Sequence, residues 1–140
     1  MNIVDANVLL YAINADAPDH EPANRWLVEA LAGPEPVGFS WLALLAFLRL
    51  STLPVLANPL SITEALVNVR GWLGARAAVV VHPTSRHVDV LSGLLLEVRR
   101  GGNLVNDAHL AALCIEYGAA MCTFDRDFQR FPGLRVVLPA

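Results

Sequence analysis

Three aspartates stand beside apolar segments and are the residues of this chain best suited to chemistry. Asp5 and Asp125 each directly follow a short apolar segment, and Asp107 stands in the sequence Asn-Asp-Ala-His. Taken singly, each aspartate is equally typical of a turn or a helix cap. If the segments are neighbouring elements of one α/β domain, three carboxylates meet in one pocket, where they repel one another unless a cation lies between them. Together they predict a divalent-metal site.

The residue types around these aspartates indicate which metal such a site takes. No histidine or cysteine ligand set accompanies them, and hard cations such as Mg²⁺ and Mn²⁺ prefer oxygen ligands. A cation of this kind lowers the pKa of a bound water, orients the water for attack on phosphorus and offsets charge on the phosphoryl oxygens. We therefore predict hydrolysis of a phosphodiester by metal-activated water.

The elements that must position the aspartates alternate between short strands and helices. Apolar runs, helical periodicity and Gly or Pro breaks predict strands near residues 1–5, 36–39, 77–81, 119–124 and 134–138, and helices near residues 6–13, 19–32, 41–50, 61–72, 84–100 and 105–118. Ser40, Ser61 and Thr84 are the expected helix caps. Such alternation predicts parallel βαβ units in a three-layer α/β/α domain with a central, mostly parallel sheet. No repeat or linker divides residues 1–140, so we expect a single domain.

This architecture predicts that the three aspartates meet. In open parallel sheets, ligands bind beyond the carboxyl ends of the strands. Asp5 and Asp125 are both predicted to lie there. Asp107 opens a predicted helix, whose positive end favours a nearby carboxylate. Three local patterns thus indicate one pocket.

The absence of lysine excludes several kinds of functional site. The chain has no lysine, and all ten of its basic residues are arginines. Phosphate binding by a P-loop and Schiff-base catalysis are therefore excluded, as are receiver domains and haloacid-dehalogenase-like phosphatases, which need a lysine. The phosphatases also need an aspartate where Asn7 stands. Because the net charge is −3, any nucleic acid must be held by a local arginine patch and by the metal.

The composition also predicts where the protein is found and that it has a partner. Hydrophobic residues make up 55% of the chain and charged residues 16%, which suggests an apolar surface covered in an oligomer or by a partner. The longest apolar stretch, residues 39–48, is about half of the ~20 residues that cross a bilayer. We expect a cytoplasmic protein with no membrane association, in which Cys114 and Cys122 are buried, reduced thiols.

Three motifs resemble a known family. The sequence Ile-Val-Asp-Ala-Asn-Val-Leu-Leu-Tyr at residues 3–11 resembles the opening of a PIN domain, residues 103–112 resemble its central acidic helix, and Thr-Phe-Asp-Arg-Asp-Phe at 123–128 resembles its closing acidic motif. Their order and spacing, and the length of the chain, are similar to those of VapC toxins of bacterial toxin–antitoxin pairs. Each motif alone is weak, whereas the three together are specific and span nearly the whole chain.

This resemblance implies an Mg²⁺- or Mn²⁺-dependent endoribonuclease. Members of the family are usually homodimers and are held inactive by a VapB-like antitoxin whose C-terminal segment occupies the active-site groove. Carried over by position, Asp5, Asp107 and Asp125 are the catalytic, metal-binding acids. Asp127 either binds the metal or supports its ligands. Asn7 and Thr123 orient carboxylates or water.

The chain departs from the family at one position. Many PIN domains carry a glutamate in a Glu-Phe-x-Arg pattern, and here the pattern reads Ala46-Phe-Leu-Arg49. Ala46 cannot bind metal, so the alternative function is a catalytically weakened, PIN-like module that binds RNA or an antitoxin. Arg49 is expected to pair with a buried carboxylate, or otherwise to reach the groove.

The remaining polar residues carry weaker expectations. For Arg126 and Arg130, three roles are open: a contact with the RNA backbone, a solvated face, or an ion pair with Asp125 or Asp127. His109 is two residues from Asp107, which on a helix turns it about 200° away, so a surface or packing role is expected. His87 is expected on the surface, without a partner.

Overall fold

A five-stranded parallel sheet forms the centre of the structure, a computed structural model that describes all 140 residues. In chain order, its strands are β1 (Asn2–Val4), β2 (Val37–Phe39), β3 (Ala78–Val80), β4 (Ala120–Cys122) and β5 (Val136–Val137). Their order across the sheet is β3-β2-β1-β4-β5. Every neighbouring pair is parallel, so all five strands present their carboxyl ends at the same edge.

Six α-helices and one short 3₁₀ helix connect these strands. They are α1 (Ala6–Ile13), α2 (His20–Ala32), α3 (Trp41–Ser51), α4 (Ile62–Leu73), α5 (His87–Val98), α6 (Leu104–Tyr117) and the 3₁₀ helix Arg126–Arg130. The predicted three-layer α/β/α fold is confirmed. None of the helices has the length and apolar character needed to cross a membrane.

The two faces of the sheet bury separate hydrophobic clusters. Ile3 and Val4 are both fully buried, yet they belong to different clusters because successive side chains of a strand point to opposite faces. The Val4 cluster is filled by α1 to α4 and the Ile3 cluster by α5 and α6. As predicted, Cys114 and Cys122 are buried, free thiols within these clusters. The helices are therefore divided four to two across the sheet.

Two of the predicted helix caps are confirmed. The Ser40 hydroxyl accepts a hydrogen bond from the Ala43 amide at 3.1 Å and caps α3. At the start of α4, Ser61 and Glu64 form a reciprocal capping box, with both hydrogen bonds at 3.1 Å. Since each bond satisfies an amide that the first turn leaves free, the caps define where these helices begin.

The predicted cap and bounds of α5 are wrong. The helix begins only at His87, and no side chain caps it. The Thr84 hydroxyl lies before the helix, where it donates to Glu116 on α6 at 2.6 Å and accepts from the Arg86 amide at 3.1 Å. The helix ends at Val98 rather than Arg100, because Arg99 adopts the left-handed conformation, with φ of 53°, and its amide donates to the Leu95 carbonyl.

Close packing of β1 on β2 depends on the absence of a side chain at Gly38. A Cβ atom there would lie 2.8 Å from Cγ1 of Ile3 and 3.2 Å from Cγ1 of Val81. Both neighbours are buried and branched at Cβ, so neither can move freely. By contrast, a Cβ at Gly71, within α4, would meet nothing within 4 Å.

We therefore predict opposite effects of alanine at these two glycines. Gly38→Ala should lower the free energy of unfolding by about 1–3 kcal/mol, because it overpacks the core. Gly71→Ala should leave it unchanged or raise it by up to about 1 kcal/mol through higher helix propensity. Urea unfolding monitored by circular dichroism measures both. Equal stability of the two variants would contradict this account of the sheet.

Candidate active site

Asp5 connects the end of β1 to the start of α1. It is the N-cap of α1, and its Oδ1 accepts a hydrogen bond from the Ala6 amide at 2.7 Å. The adjacent strand β4 is in register, with Val4 opposite Cys122. Thr123 therefore emerges next to Asp5, although the two residues are 118 positions apart in the sequence.

A buried hydroxyl group holds Asp5 in place. Thr123 is 1% exposed, and its Oγ1 donates to Oδ2 of Asp5 at 2.7 Å. The same oxygen accepts hydrogen bonds from the Asn7 side-chain amide at 3.1 Å and from the Asp125 backbone amide at 2.9 Å. Asn7 also donates to Oδ2 of Asp5 at 3.3 Å and accepts from the Phe124 amide at 3.2 Å. Asn7 and Thr123 thus join the first and third acidic motifs.

Asp125 connects the same hydrogen-bond network to the 3₁₀ helix. Its backbone amide binds Thr123, and its Oδ1 accepts from the Asp127 amide at 2.9 Å, which caps the short helix. Asp127 itself is more exposed, and its carboxylate lies 3.2 Å from the guanidinium of Arg130. The Asp125 backbone is therefore tied to the network around Asp5, whereas Asp127 lies at the exposed margin of the site.

Asp107 is brought to the same site by α6. It lies in the first turn of that helix and is partly buried. Burial, followed by repulsion from Asp5 and Asp125, raises the pKa of Asp107 from 3.8 to about 6. The pKa of Asp5 is also raised, chiefly by burial and to a smaller extent by Asp125, although the hydrogen bond from Thr123 opposes the shift. The three predicted acids therefore lie close enough to repel one another.

Asp5 and Asp107 open onto a groove of about 560 Å³ between α3 and α6. Its polar lining includes Asn106 and Arg49, and its apolar wall includes Leu42, Leu45 and Leu110. Ala46 also lines the groove. The residue that departs from the family pattern therefore faces the acids, and no side-chain oxygen is contributed from position 46.

Neither Arg49 nor Arg126 forms an ion pair, so the expected pairing of Arg49 is wrong and the pairing alternative for Arg126 is not observed. Arg49 is exposed in the groove, because it lies on the open side of α3 beside Leu45, so burial does not force it to find a carboxylate. The arginine that pairs with Asp127 is Arg130, whose Nε also donates to the Asp127 carbonyl at 2.9 Å. Three-residue spacing on a helical turn favours Arg130 over the adjacent Arg126.

Sequence analysis missed a second polar cluster, in which His87 connects α5 to α6. His87 Nδ1 lies 2.5 Å from Oε2 of Glu116, and His87 Nε2 lies 2.9 Å from Nδ1 of His109. The Glu116 side chain has no exposed surface. The expectation of an unpartnered His87 is therefore wrong, because the partners are 29 and 22 residues away and no local spacing signals them.

The oxygen donors suit a hydrated cation better than a fully enclosed one. No group of three or more His, Cys, Asp or Glu side chains lies close enough together to hold a metal ion. Mg²⁺ retains several waters and needs only one or two direct carboxylates, whereas structural zinc requires four closely arranged ligands. Carboxylates with raised pKa values and no nitrogen or sulfur ligand fit the first case.

Comparisons with known proteins agree with this geometry. The family model for the PIN domain matches residues 3–134. Ribonuclease VapC37 of Mycobacterium tuberculosis is 52% identical over 136 residues, which cover 96% of this chain and 94% of the relative.

Two solved structures share the fold. The crystal structure of VapBC2 from Rickettsia felis, bound to a DNA fragment from its promoter, aligns with a TM-score of 0.71 and 18% identity, covering 98% of this chain and 97% of the other. The crystal structure of M. tuberculosis VapC20, a toxin that cleaves the sarcin-ricin loop, aligns with a TM-score of 0.69 and 21% identity, covering 96% and 99%. With its acids gathered at the carboxyl edge of a parallel sheet and this degree of sequence identity, the chain belongs to the PIN-domain family and, within it, to the VapC ribonucleases.

Proposed function

We propose that this chain is the toxin of a VapBC-type pair and hydrolyses RNA phosphodiesters with the help of Mg²⁺ or Mn²⁺. The observation that carries the metal dependence is the set of Asp5, Asp107 and Asp125, which repel one another with no arginine paired to any of them. Such a set is stabilised by a cation. Similarity to VapC37, a ribonuclease, supports the reaction.

Different residues of the chain would bind the ion and orient its ligands. Asp5, Asp107 and Asp125 would hold the ion, in part through its waters, and Asp127 would either bind the ion or support its ligands. When bound, the ion lowers the pKa of an attacking water and offsets charge on the phosphate. Thr123 and Asn7 fix the orientation of Asp5 through their hydrogen bonds.

Two arginines are candidates for contacts with the RNA backbone. Arg49 lines the groove beside Asp5 and Asp107 and makes no ion pair, so its guanidinium is available to a phosphate. Arg126 is exposed next to Asp125 and is also unpaired. These positive charges offset the repulsion that the acids exert on an approaching polyanion.

The partners proposed for this chain are a VapB-like antitoxin and a second copy of itself. The related VapBC2 assembly from R. felis supports the antitoxin. Its C-terminal segment would lie in the groove, whose leucine wall and acids suit a segment with apolar and basic side chains. Trp41 and Leu45 are 45% and 57% exposed on α3 and offer apolar surface to a partner.

Ala46 supports a second candidate function, a binding module with little hydrolysis. Ala46 lines the same groove as Asp5 and Asp107, so a glutamate at this position would add a carboxylate to the groove. Without that carboxylate, an RNA strand or an antitoxin could still occupy the groove. We favour the enzyme, because an ion that keeps several waters needs only one or two carboxylates.

The first prediction concerns metal dependence. Purified protein should cleave single-stranded RNA with Mg²⁺ or Mn²⁺ and should stop on addition of EDTA. Asp5→Asn should lower kcat/KM by about 100-fold or more, because metal assistance contributes several kcal/mol. Asp16→Asn is the matched control, since Asp16 is exposed beyond the far end of α1. Unchanged cleavage by Asp5→Asn would refute the metal mechanism.

The second prediction concerns the hydroxyl of Thr123. Thr123→Val keeps the shape but leaves the Asn7 and Asp125 amides without their acceptor, so the free energy of unfolding should fall by about 1–3 kcal/mol. Mn²⁺ affinity, measured by calorimetric titration, should fall about 10–100-fold. Thr123→Ser keeps the hydroxyl and should bind Mn²⁺ nearly as the native protein does. Native Mn²⁺ affinity in the valine variant would contradict the orienting role.

The third prediction separates the two candidate functions. Ala46→Glu should change the cleavage rate at saturating Mg²⁺ by less than about threefold, which is under 1 kcal/mol in activation free energy. Ala57→Glu adds the same charge at an exposed loop position and serves as the control. A gain of two orders of magnitude with Ala46→Glu alone would instead identify the native chain as a binding module.

A further inference from the structure

A second polar hollow lies where the end of α5 meets the end of the 3₁₀ helix. It measures about 440 Å³ and is lined by Glu97, Val98, Arg100, Arg130 and Pro132. None of the three acids proposed to bind metal contributes to it. Two of its five lining residues are arginines, which is notable in a chain whose net charge is −3.

The backbone and one ion pair place these two arginines. The left-handed conformation of Arg99 ends α5 and turns the chain, so Arg100 faces the hollow rather than continuing the helix. Arg130 is held by Asp127 through two contacts, Nε to the carbonyl oxygen at 2.9 Å and Nη2 to the carboxylate at 3.2 Å. A guanidinium has five N–H donors, so Arg130 keeps donors for a ligand.

The hollow is lined by two arginines and one acid. The acid, Glu97, forms no ion pair with either arginine, and Arg100 has no ion-pair partner. The two segments that form or adjoin the hollow, residues 97–100 and 125–130, together hold four arginines and three acids. Their net charge is therefore +1, in a protein whose net charge is −3.

The hollow adjoins the acidic site. Asp127, which anchors Arg130, directly follows the motif of Asp125. Arg130 therefore adjoins the third acidic motif, and Arg100 lines the same hollow as Arg130.

We propose that Arg100 and Arg130 together bind a backbone phosphate of single-stranded RNA that flanks the phosphate at the acidic site. The planar guanidinium group can donate two parallel hydrogen bonds to phosphate oxygens. Two guanidinium groups that line one hollow can therefore bind a single phosphate, without any contact to a base that would depend on the RNA sequence. The RNA then runs from the groove beside α3, across the acids, towards the end of α5. This inference rests on the proposed function for the identity of the bound polymer.

The test measures RNA binding rather than cleavage. Asp107→Asn provides a background variant that should not cleave RNA. Binding of a single-stranded RNA oligonucleotide to this variant is measured by fluorescence anisotropy between roughly 50 and 200 mM salt, a range over which phosphate contacts change the affinity strongly. In that background, Arg100→Gln and Arg130→Gln should each weaken RNA binding several-fold. In a plot of the logarithm of the association constant against the logarithm of the salt concentration, each variant should also have a slope shallower by about 0.7, the value for one phosphate contact on a single strand.

Matched variants separate this contact from a general loss of charge or of folding. Arg76→Gln removes an exposed arginine between α4 and β3, at the opposite edge of the sheet, and should leave the slope unchanged. Arg100→Lys keeps the charge without the planar guanidinium group, so it should keep the slope and lose part of the affinity. Arg100 has no ion-pair partner, so its replacement should not disturb folding.

The outcomes distinguish this proposal from the proposed function. Equal slopes and affinities in all variants, or no RNA binding at all, would overturn the phosphate site, even if the native protein cleaves RNA. A shallower slope with Arg100→Gln supports the site, even if the native protein cuts nothing, in which case only the proposed reaction is wrong. Weaker antitoxin binding with unchanged RNA binding would assign the hollow to the protein partner and overturn the proposal.

Discussion

Repulsion between carboxylates confined to one edge of the sheet is the constraint on which the site depends. Because every strand is parallel, the chain leaves β1 and β4 at the same edge, and Asp5 and Asp125 follow those strands. Helix α6 adds Asp107, whose pKa rises to about 6. Since folding raises this pKa from 3.8, ionisation of Asp107 opposes folding increasingly as the pH rises from about 4 to 6. On the proposed function, a bound cation would offset that repulsion and would stabilise the folded protein.

Hydrogen bonds from neutral groups hold Asp5 and the Asp125 segment together in spite of this repulsion. One buried hydroxyl, that of Thr123, donates to Asp5 and accepts from Asn7 and Asp125. Had an arginine taken that place, it would have neutralised the pocket and competed with a metal ion. A hydroxyl and an amide orient the carboxylates and leave their charge in place. The distinction matters for function, because a catalytic metal site needs fixed ligands that remain anionic.

The sequence predicted the layers of the fold and the three acids, because both depend on local patterns. Strand-to-helix alternation implies parallel strands, and parallel strands bring their following residues to one edge. The partners of His87 were not predicted, whereas the pairing of Arg130 with Asp127 was one of the alternatives considered. His87 meets Glu116 and His109 only through the packing of α5 on α6, which no spacing encodes. The spacing of three residues between Asp127 and Arg130 would have favoured Arg130 over Arg126 as the partner of Asp127. The end of α5 was not predictable, because it depends on the left-handed backbone conformation of Arg99, which composition does not reveal.

With alanine instead of glutamate at position 46, the groove has one negative charge fewer and Arg49 has no neighbouring acid on its helix. A glutamate at 46 would stand three residues before Arg49 on the same helix, at a spacing where opposite charges attract. With Ala46 in its place, Arg49 has no such partner and lines the groove unpaired beside Asp5 and Asp107. The groove thus loses one negative charge and keeps one free guanidinium. On the proposed function, part of the stabilisation of the phosphate therefore moves from metal-bound carboxylates to Arg49, so the departure at 46 redistributes charge around the substrate without removing the site.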